Sequence, residues 1–367
     1  MKIKVMNVVW ARPNFMKIAP IISEMNKHPE FELKLLHTGQ HYDAEMSKFF
    51  FEDLRIPEPD IYLGVGSGNH GEQTGKIMIE FEKVLLDEKP DLVLVVGDVN
   101  STIACGLVAV KLGVKFAHVE AGLRSFDRTM PEEINRLLTD QISDFLFITE
   151  KSAEDNLLKE GISRDKIHFV GNVMIDSLLG NLDRAQNSKI FTDLDLQPRE
   201  FVLLTLHRPS NVDTRENFLE ILTALQEIQK EIIVVFPVHP RSKKRLSEFG
   251  LNKKLKDMPN FLVQEPLGYL DFLKLMSEAK LVLTDSGGIQ EETTVLGIPC
   301  LTLRENTERP VTVLQGTNEV IGVNAKRLVT ESRKILNGTF KKGKRPDLWD
   351  GKAAKRIVDV INKNFKG

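Results

Sequence analysis

Apolar and polar positions along the chain come in blocks. Runs of Val, Ile, Leu and Phe at 3–9, 33–36, 92–96, 116–119, 145–148 and 167–170 are short and nearly continuous, and the stretches between them carry helix-period patterns. Strands that lack polar alternation are buried on both faces. Such strands alternating with helices predict a parallel sheet covered on both sides, the doubly wound α/β class. A polar stretch follows at about 181–200, and the pattern then restarts at 201–206, 232–236, 261–263, 281–283 and 300–303. Two Rossmann-like domains are predicted, 1–172 and 173–351, with the boundary in the polar, low-periodicity stretch of 172–200.

Polar clusters stand at the ends of these apolar runs. They include Ala11-Arg12-Pro13-Asn14, Gly97-Asp98, His118-Val-Glu120, His207-Arg208, His239-Pro240 and Thr284-Asp285-Ser286-Gly287-Gly288. Open parallel sheets bind ligands beyond the carboxyl ends of their strands. Two such sheets facing each other would line one cleft with these groups.

The length of 367 residues agrees with two domains, and the charge narrows the partners. Fifty Lys and Arg against 52 Asp and Glu leave a net charge of −2, without the concentrated basic excess that nucleic acid or a membrane surface requires. An anionic ligand must therefore be met locally. Cys105 and Cys300 show no pairing pattern, no signal-like or spanning apolar segment is present, and a cytoplasmic location is expected.

Several clusters carry candidate chemistry beside a plainer reading. Ser286, Gly287 and Gly288 follow a strand and open a helix, where bare N–H groups bind phosphate; a tight turn capped by Asp285 or Ser286 is the alternative. Glu291 and Glu292 stand one turn further in. Arg12 and Lys17 offer a planar fork and a point charge to phosphate oxygens, or are solvated surface cations. Asp98, Glu120, Glu132 and Glu133 lie at strand ends or at a Pro-initiated helix start, where paired carboxylates suit acid/base work. His207 and His239 each end a strand without a second His at metal-ligand spacing, so no metal site is expected. Gly66-Ser-Gly68-Asn-His-Gly71 matches G-x-G-x-x-G but lies outside the first β-α turn, which argues against NAD.

Together these pieces resemble the non-hydrolysing UDP-N-acetylglucosamine 2-epimerase family. The resemblance rests on Ala11-Arg12-Pro13 with Lys17, Thr38-Gly-Gln-His41, Gly97-Asp98, His118-Val-Glu-Ala-Gly-Leu-Arg124, Pro131-Glu-Glu-Ile-Asn-Arg136, Gly171-Asn172 with Ile175-Asp176, His207-Arg208, Pro237-Val-His239, Thr284-Asp-Ser-Gly-Gly-Ile-Gln-Glu-Glu292 and Thr307-Glu-Arg-Pro310. It implies a GT-B type fold with two facing domains, a helix near 352–367 packing back onto the first, a homodimer, and inversion at C2 of a UDP-sugar without NAD or a required metal. By that resemblance Asp98, Glu120 and Glu132 are acid/base candidates, and Arg136 orients Glu132 or the sugar. Arg12, Lys17, His207, Ser286, Gly287, Gly288 and Arg309 contact diphosphate and sugar. Glu292 meets the ribose, Phe272 lies in the segment beside the uracil, and His239 joins the binding set.

The chain departs from the family pattern at three places. Trp10-Ala11 replaces Gly-Thr before the Arg-Pro pair, with Asn14 in place of Glu; residues 99–102 read Val-Asn-Ser-Thr; and Asp43 and Lys76 replace the residues of the bacterial activating site, which makes activation by substrate doubtful. A modified sugar such as UDP-2,3-diacetamido-glucuronic acid is the alternative substrate. A glycosyltransferase of the same fold, the hydrolysing relative and a non-catalytic nucleotide-sugar sensor compete with the epimerase as functions for such a chain.

Overall fold

The structure is a computed structural model that describes residues 2–10, 12–39 and 57–366, with only the backbone described at residues 12 and 366. Contacts divide the chain into two compact units, Met1–Gly180 with Asp347–Gly367, and Asn181–Pro346. The division falls after Gly180 and Pro346 rather than after 172 and 351, because the intervening residues bind into the first unit, as described below.

The first unit holds seven parallel strands, β1 (Ile3–Val9), β2 (Phe31–His37), β3 (Ile61–Tyr62), β4 (Leu92–Val96), β5 (Lys115–Ala121), β6 (Phe145–Ile148) and β7 (Ile167–Phe169), in the spatial order 3-2-1-4-5-6-7. The second holds six, β8 (Phe201–Thr205), β9 (Ile233–Pro237), β10 (Phe261–Gln264), β11 (Leu281–Thr284), β12 (Cys300–Thr302) and β13 (Asn318–Val320), in the order 10-9-8-11-12-13. Both sheets reverse direction of growth beside their first strand, so the exits of β1 and β4, and of β8 and β11, are the switch points where doubly wound sheets bind ligands. The central strands are apolar throughout, as burial on both faces requires; β4 is buried at all five positions. One core of the second unit gathers Leu204, Phe218, Phe236 and Leu283, and one of the first gathers Met6, Phe81, Val93 and Phe116.

The return of the chain to the first unit is built by a short set of contacts. Gly171 adopts φ +88°, and a Cβ there would stand 2.1 Å from the Leu348 carbonyl oxygen, so only glycine admits the returning segment. Trp349, wholly buried, donates from Nε1 to the Thr149 carbonyl at 2.9 Å. Asp176 accepts the Ala353 and Ala354 N–H groups at 3.1 and 2.8 Å, satisfying two free donors at the start of the final helix, Ala353–Lys366. Burial pushes the Asp176 carboxyl up to about 6. Ser177 Oγ donates to the Met16 carbonyl, which ties this region to the helix Arg12–Met25. The Gly171-Asn172…Asp176 motif therefore anchors the returning chain.

Candidate active site

In the first unit the acids ending β4 and β5 are each held by a cation. Lys17 Nζ, 8% exposed as a residue, lies 2.5 Å from Glu120 Oε2, and Glu120 is 4% exposed. Its other oxygen, Oε1, is buried without a described hydrogen-bond partner. Glu120 has φ +73°, a left-handed backbone at a residue with a full side chain, and the ladder with β6 slips between Val119 and Ala121. A bulge of this kind re-aims a side chain and ends pairing, and such strain persists only where surrounding contacts hold it.

Asp98 follows Gly97 at the exit of β4. Arg136 grips its Oδ2 from Nε at 2.9 Å and from a terminal nitrogen at 2.6 Å, while its other terminal nitrogen reaches Glu133 Oε2 at 2.7 Å. Arg136, expected to orient Glu132 or the sugar, has Asp98 and Glu133 as its described partners. One helical turn separates Glu133 and Arg136 on the buried face of the helix Pro131–Ile142, whereas Glu132 points along a different, half-buried side and has no described partner. Glu133 is occupied in structure, its carboxylate accepting the Ser125 and Phe126 N–H groups at 3.0 and 2.9 Å.

Beneath the acids, His118 bridges the two strand exits. Its Nδ1 lies 2.7 Å from Asp140 Oδ1 and its Nε2 2.8 Å from the Gly97 carbonyl, so both nitrogens face acceptors. Asp140 also receives Arg124 at 2.7 Å and the Gly122 N–H at 3.0 Å. Burial would raise the Asp140 carboxyl, but His118 and Arg124 outweigh it and hold the carboxyl below its usual range. Lys17, a candidate diphosphate contact, pairs with Glu120 in this unit. Trp10 is half-buried and Asn14 buried, its Nδ2 donating to the Val96 carbonyl at 2.8 Å. The Arg12 side chain and residues 40–56, Asp43 among them, lie outside the described residues. Gly66 to Gly71 sits after β3 at the sheet edge, where Gly66, Ser67, Gly68, Gln73 and Lys76 line a cavity of about 490 Å³ and Lys76 pairs with Glu72 at 2.6 Å.

In the second unit β8 and β11 are neighbours, and their exit loops meet. Ser286 stands at the N-cap of the helix Gly287–Leu296 without a side-chain cap bond, and Gly287 and Gly288 open its first turn. Asp285 does not cap this helix. Wholly buried, it accepts the His207 and Arg208 N–H groups, each at 2.9 Å, and lies 2.8 Å from His207 Nδ1. Burial would raise its carboxyl, but His207 and the backbone donors hold it below the usual range. The His207 and His239 rings lie 5.6 Å apart, and His239 Nδ1 accepts the Arg241 N–H as an N-cap.

Arg309 packs against the glycine turn. A Cβ on Gly287 would stand 2.6 Å from an Arg309 terminal nitrogen. The guanidinium is buried between Glu291 at 2.7 Å and Glu308 at 2.6 Å, and Arg304 pairs with the other Glu308 oxygen at 2.9 Å. Glu292, 3% exposed, has its carboxyl pushed up to about 8, by burial first and then by the Glu291 charge. The Tyr269 hydroxyl lies 3.4 Å from Glu292 Oε1, and Phe272 is half-buried on the same helix, Tyr269–Glu278. Asp285 reads in the sequence only as a cap, and Glu308 and Asp140 not as site residues at all; an acid at a strand end is the one hint, and it points to the first. Among the described residues, no group of three His, Cys, Asp or Glu side chains is placed to hold a metal ion, and no helix is long and apolar enough to cross a membrane.

Two parallel-sheet α/β units with charged and glycine-rich switch points define a Rossmann-type protein of the GT-B class. The family model described as UDP-N-acetylglucosamine 2-epimerase matches residues 23–362. The chain is 47% identical over 359 residues to the UDP-N-acetylglucosamine 2-epimerase of Methanocaldococcus jannaschii, covering 96% of this chain and 97% of that protein. It is 42% identical over 364 residues to the UDP-2,3-diacetamido-2,3-dideoxy-D-glucuronate 2-epimerase of Pseudomonas aeruginosa, covering 98% of this chain and 99% of that one. The crystal structure of the M. jannaschii enzyme in complex with UDP-GlcNAc and UDP superposes with a TM-score of 0.90 at 46% identity, covering 98% of this chain and 100% of that chain. The chain belongs to the UDP-N-acetylglucosamine 2-epimerase family.

Proposed function

We propose that this protein is an isomerase that interconverts UDP-N-acetylglucosamine and UDP-N-acetylmannosamine. Similarity to the M. jannaschii enzyme over nearly the whole of both chains carries this reading. The diacetamido-glucuronate epimerase, a sibling at lower identity, marks the alternative substrate.

The C2 hydrogen of such a sugar is not next to a carbonyl, so direct deprotonation would leave an unstabilised carbanion. Anti elimination avoids it. A carboxylate takes the C2 proton while the C1–O bond breaks and its electron pair leaves with UDP, giving a 2-acetamidoglucal. UDP then adds back to C1, and C2 receives a proton on the opposite face. Asp98 and Glu120, fixed in place by Arg136 and Lys17, and Glu132, at the start of the Pro131 helix, are the groups suited to take and deliver the C2 proton. Ser286, Gly287, Gly288, Arg309 and His207 hold the diphosphate as its charge grows, together with Arg12; Glu292, Phe272 and His239 bind the rest of the nucleotide.

The reaction needs neither NAD nor metal in this scheme. The enzyme works in the cytoplasm as a homodimer, supplying a precursor for cell-surface polysaccharide. Ile79 and Leu86, seven residues apart on the helix His70–Glu88, and Leu138 on the Pro131 helix are half or more exposed in the first unit, an apolar face of the kind a second copy covers. Proton NMR of the purified protein with UDP-N-acetylglucosamine in D2O, without added NAD or metal, tests the proposal. The manno epimer with deuterium at C2 of both sugars is expected. Free N-acetylmannosamine plus UDP would identify a hydrolase, and turnover of the diacetamido uronate alone would move the substrate assignment.

A further inference from the structure

The exits of β8 and β11 place a wholly buried carboxylate against a half-open imidazole. Asp285 is 0% exposed, whereas the His207 side chain is 36% exposed, and Nδ1 is the nitrogen turned inward, 2.8 Å from Asp285 Oδ1. The other oxygen, Oδ2, accepts the His207 and Arg208 N–H groups at 2.9 Å each and Asn211 Nδ2 at 3.2 Å. Oδ1 faces the ring, with a longer 3.2 Å contact from the His207 N–H, while Oδ2 carries the shorter bonds of the loop. A carboxylate can only accept, so the proton of the neutral ring must sit on Nδ1, and Nε2 carries its lone pair toward the open side.

We propose that Asp285 is a positioning residue that fixes the tautomer and aim of His207. It rests on the UDP-sugar reading above. With the Nδ1 proton committed to Asp285, Nε2 is the nitrogen that meets the ligand. When it carries a second proton it donates a hydrogen bond to the departing diphosphate, and the buried carboxylate balances the imidazolium. Asp285 itself touches no substrate. The same arrangement, an acid that orients a histidine, recurs on unrelated folds.

Asp285→Asn separates orientation from loop building. The amide oxygen can keep the bonds of Oδ2 to the two N–H groups, while the amide nitrogen replaces Oδ1 and donates to Nδ1, forcing the ring proton onto Nε2. Histidine-15N spectra of the ligand-free protein at alkaline pH read the seat of the proton, with His207→Gln assigning the signal. The expected result is Nδ1–H in the wild type and Nε2–H in Asp285→Asn. Kinetics complete the test: Asp285→Asn and His207→Gln should each lower kcat by about 100-fold, with KM within about threefold, and the double variant should lose little more than either alone. An Nε2–H ring in the wild type, spectra unchanged by Asp285→Asn, or losses that multiply in the double variant would overturn the proposal. A wild-type protein that leaves UDP-N-acetylglucosamine unchanged overturns the assigned activity alone, since the nitrogen shifts are read without substrate.

Discussion

In the first unit each strand-end carboxylate is paired with a cation, Glu120 with Lys17 and Asp98 with Arg136. In the second, the groups offered to a ligand are themselves paired with carboxylates, Arg309 with Glu291 and Glu308, and His207 with Asp285. The order of the first six strands and the switch point are the same; the use of charge is reversed. A carboxylate held by a buried ammonium is fixed in place, which suits taking a proton from carbon. A guanidinium and an imidazole held by buried acids keep their place beside a glycine turn, which suits a diphosphate. Under the proposed function, one architecture serves chemistry in one copy and grip in the other.

The largest effect expected of this division is at Glu120. Glu120→Gln should reduce kcat by about 1,000-fold while UDP affinity, measured by calorimetry, stays within about threefold. It also leaves Lys17 buried without its counter-charge, a cost of about 3–5 kcal/mol, so Lys17→Met combined with it should restore the unfolding midpoint and not the turnover. A parallel loss of UDP binding would break the division.

The second unit's buried acid is expected to behave oppositely. Unfolded, Glu292 ionises near 4.5; folded, it keeps its proton until about 8. Its contribution to stability is therefore greatest below pH 4.5, falls as pH rises between these values, and stays low above 8. Glu292→Gln removes that slope. Denaturant unfolding of the ligand-free variant should match the wild type near pH 4.5 and exceed it by about 4 kcal/mol at pH 8. Equal curves at both ends would mean that Glu292 is ionised throughout.

A smaller effect is expected from Gly287→Ala. The new methyl would meet an Arg309 terminal nitrogen at 2.6 Å and Glu308 Oε1 at 3.0 Å. Both belong to a buried ion network that can shift but not vanish. UDP affinity should fall about tenfold with kcat at saturation nearly unchanged, about 1.4 kcal/mol lost in the gripping unit alone. A drop in kcat instead would assign chemistry to this turn.

The central strands were legible because burial on both faces leaves no polar alternation to confuse them, and 3–9, 92–96 and 145–148 coincide with observed strands. The strands β3 and β13 went unread. Both lie at sheet edges, and the first is two residues long while the second reads Asn-Glu-Val, so neither offers an apolar run. The strand-end acids and the glycine turn stood out for a similar reason, as polar breaks after apolar runs. Their partners did not. Lys17 lies 103 residues from Glu120 and His207 78 from Asp285, and only the strand order brings them together. The left-handed turn at Glu120 had no signal either, since a bulge is set by how neighbouring strands run out of register.

The returning segment 347–367 makes the second unit an insertion in the first, joined to it at both ends. During synthesis the ribosome finishes Asn181–Pro346 before it has made Trp349 or the final helix. The unit that comes second in the sequence is therefore the first to be complete. The first unit waits for it, with Gly171 and the acceptor Asp176 lacking their partners until Leu348, Ala353 and Ala354 emerge. A chain released early carries a complete second unit and an incomplete first one, so under the proposed function a truncated product would bind UDP without turning over a sugar.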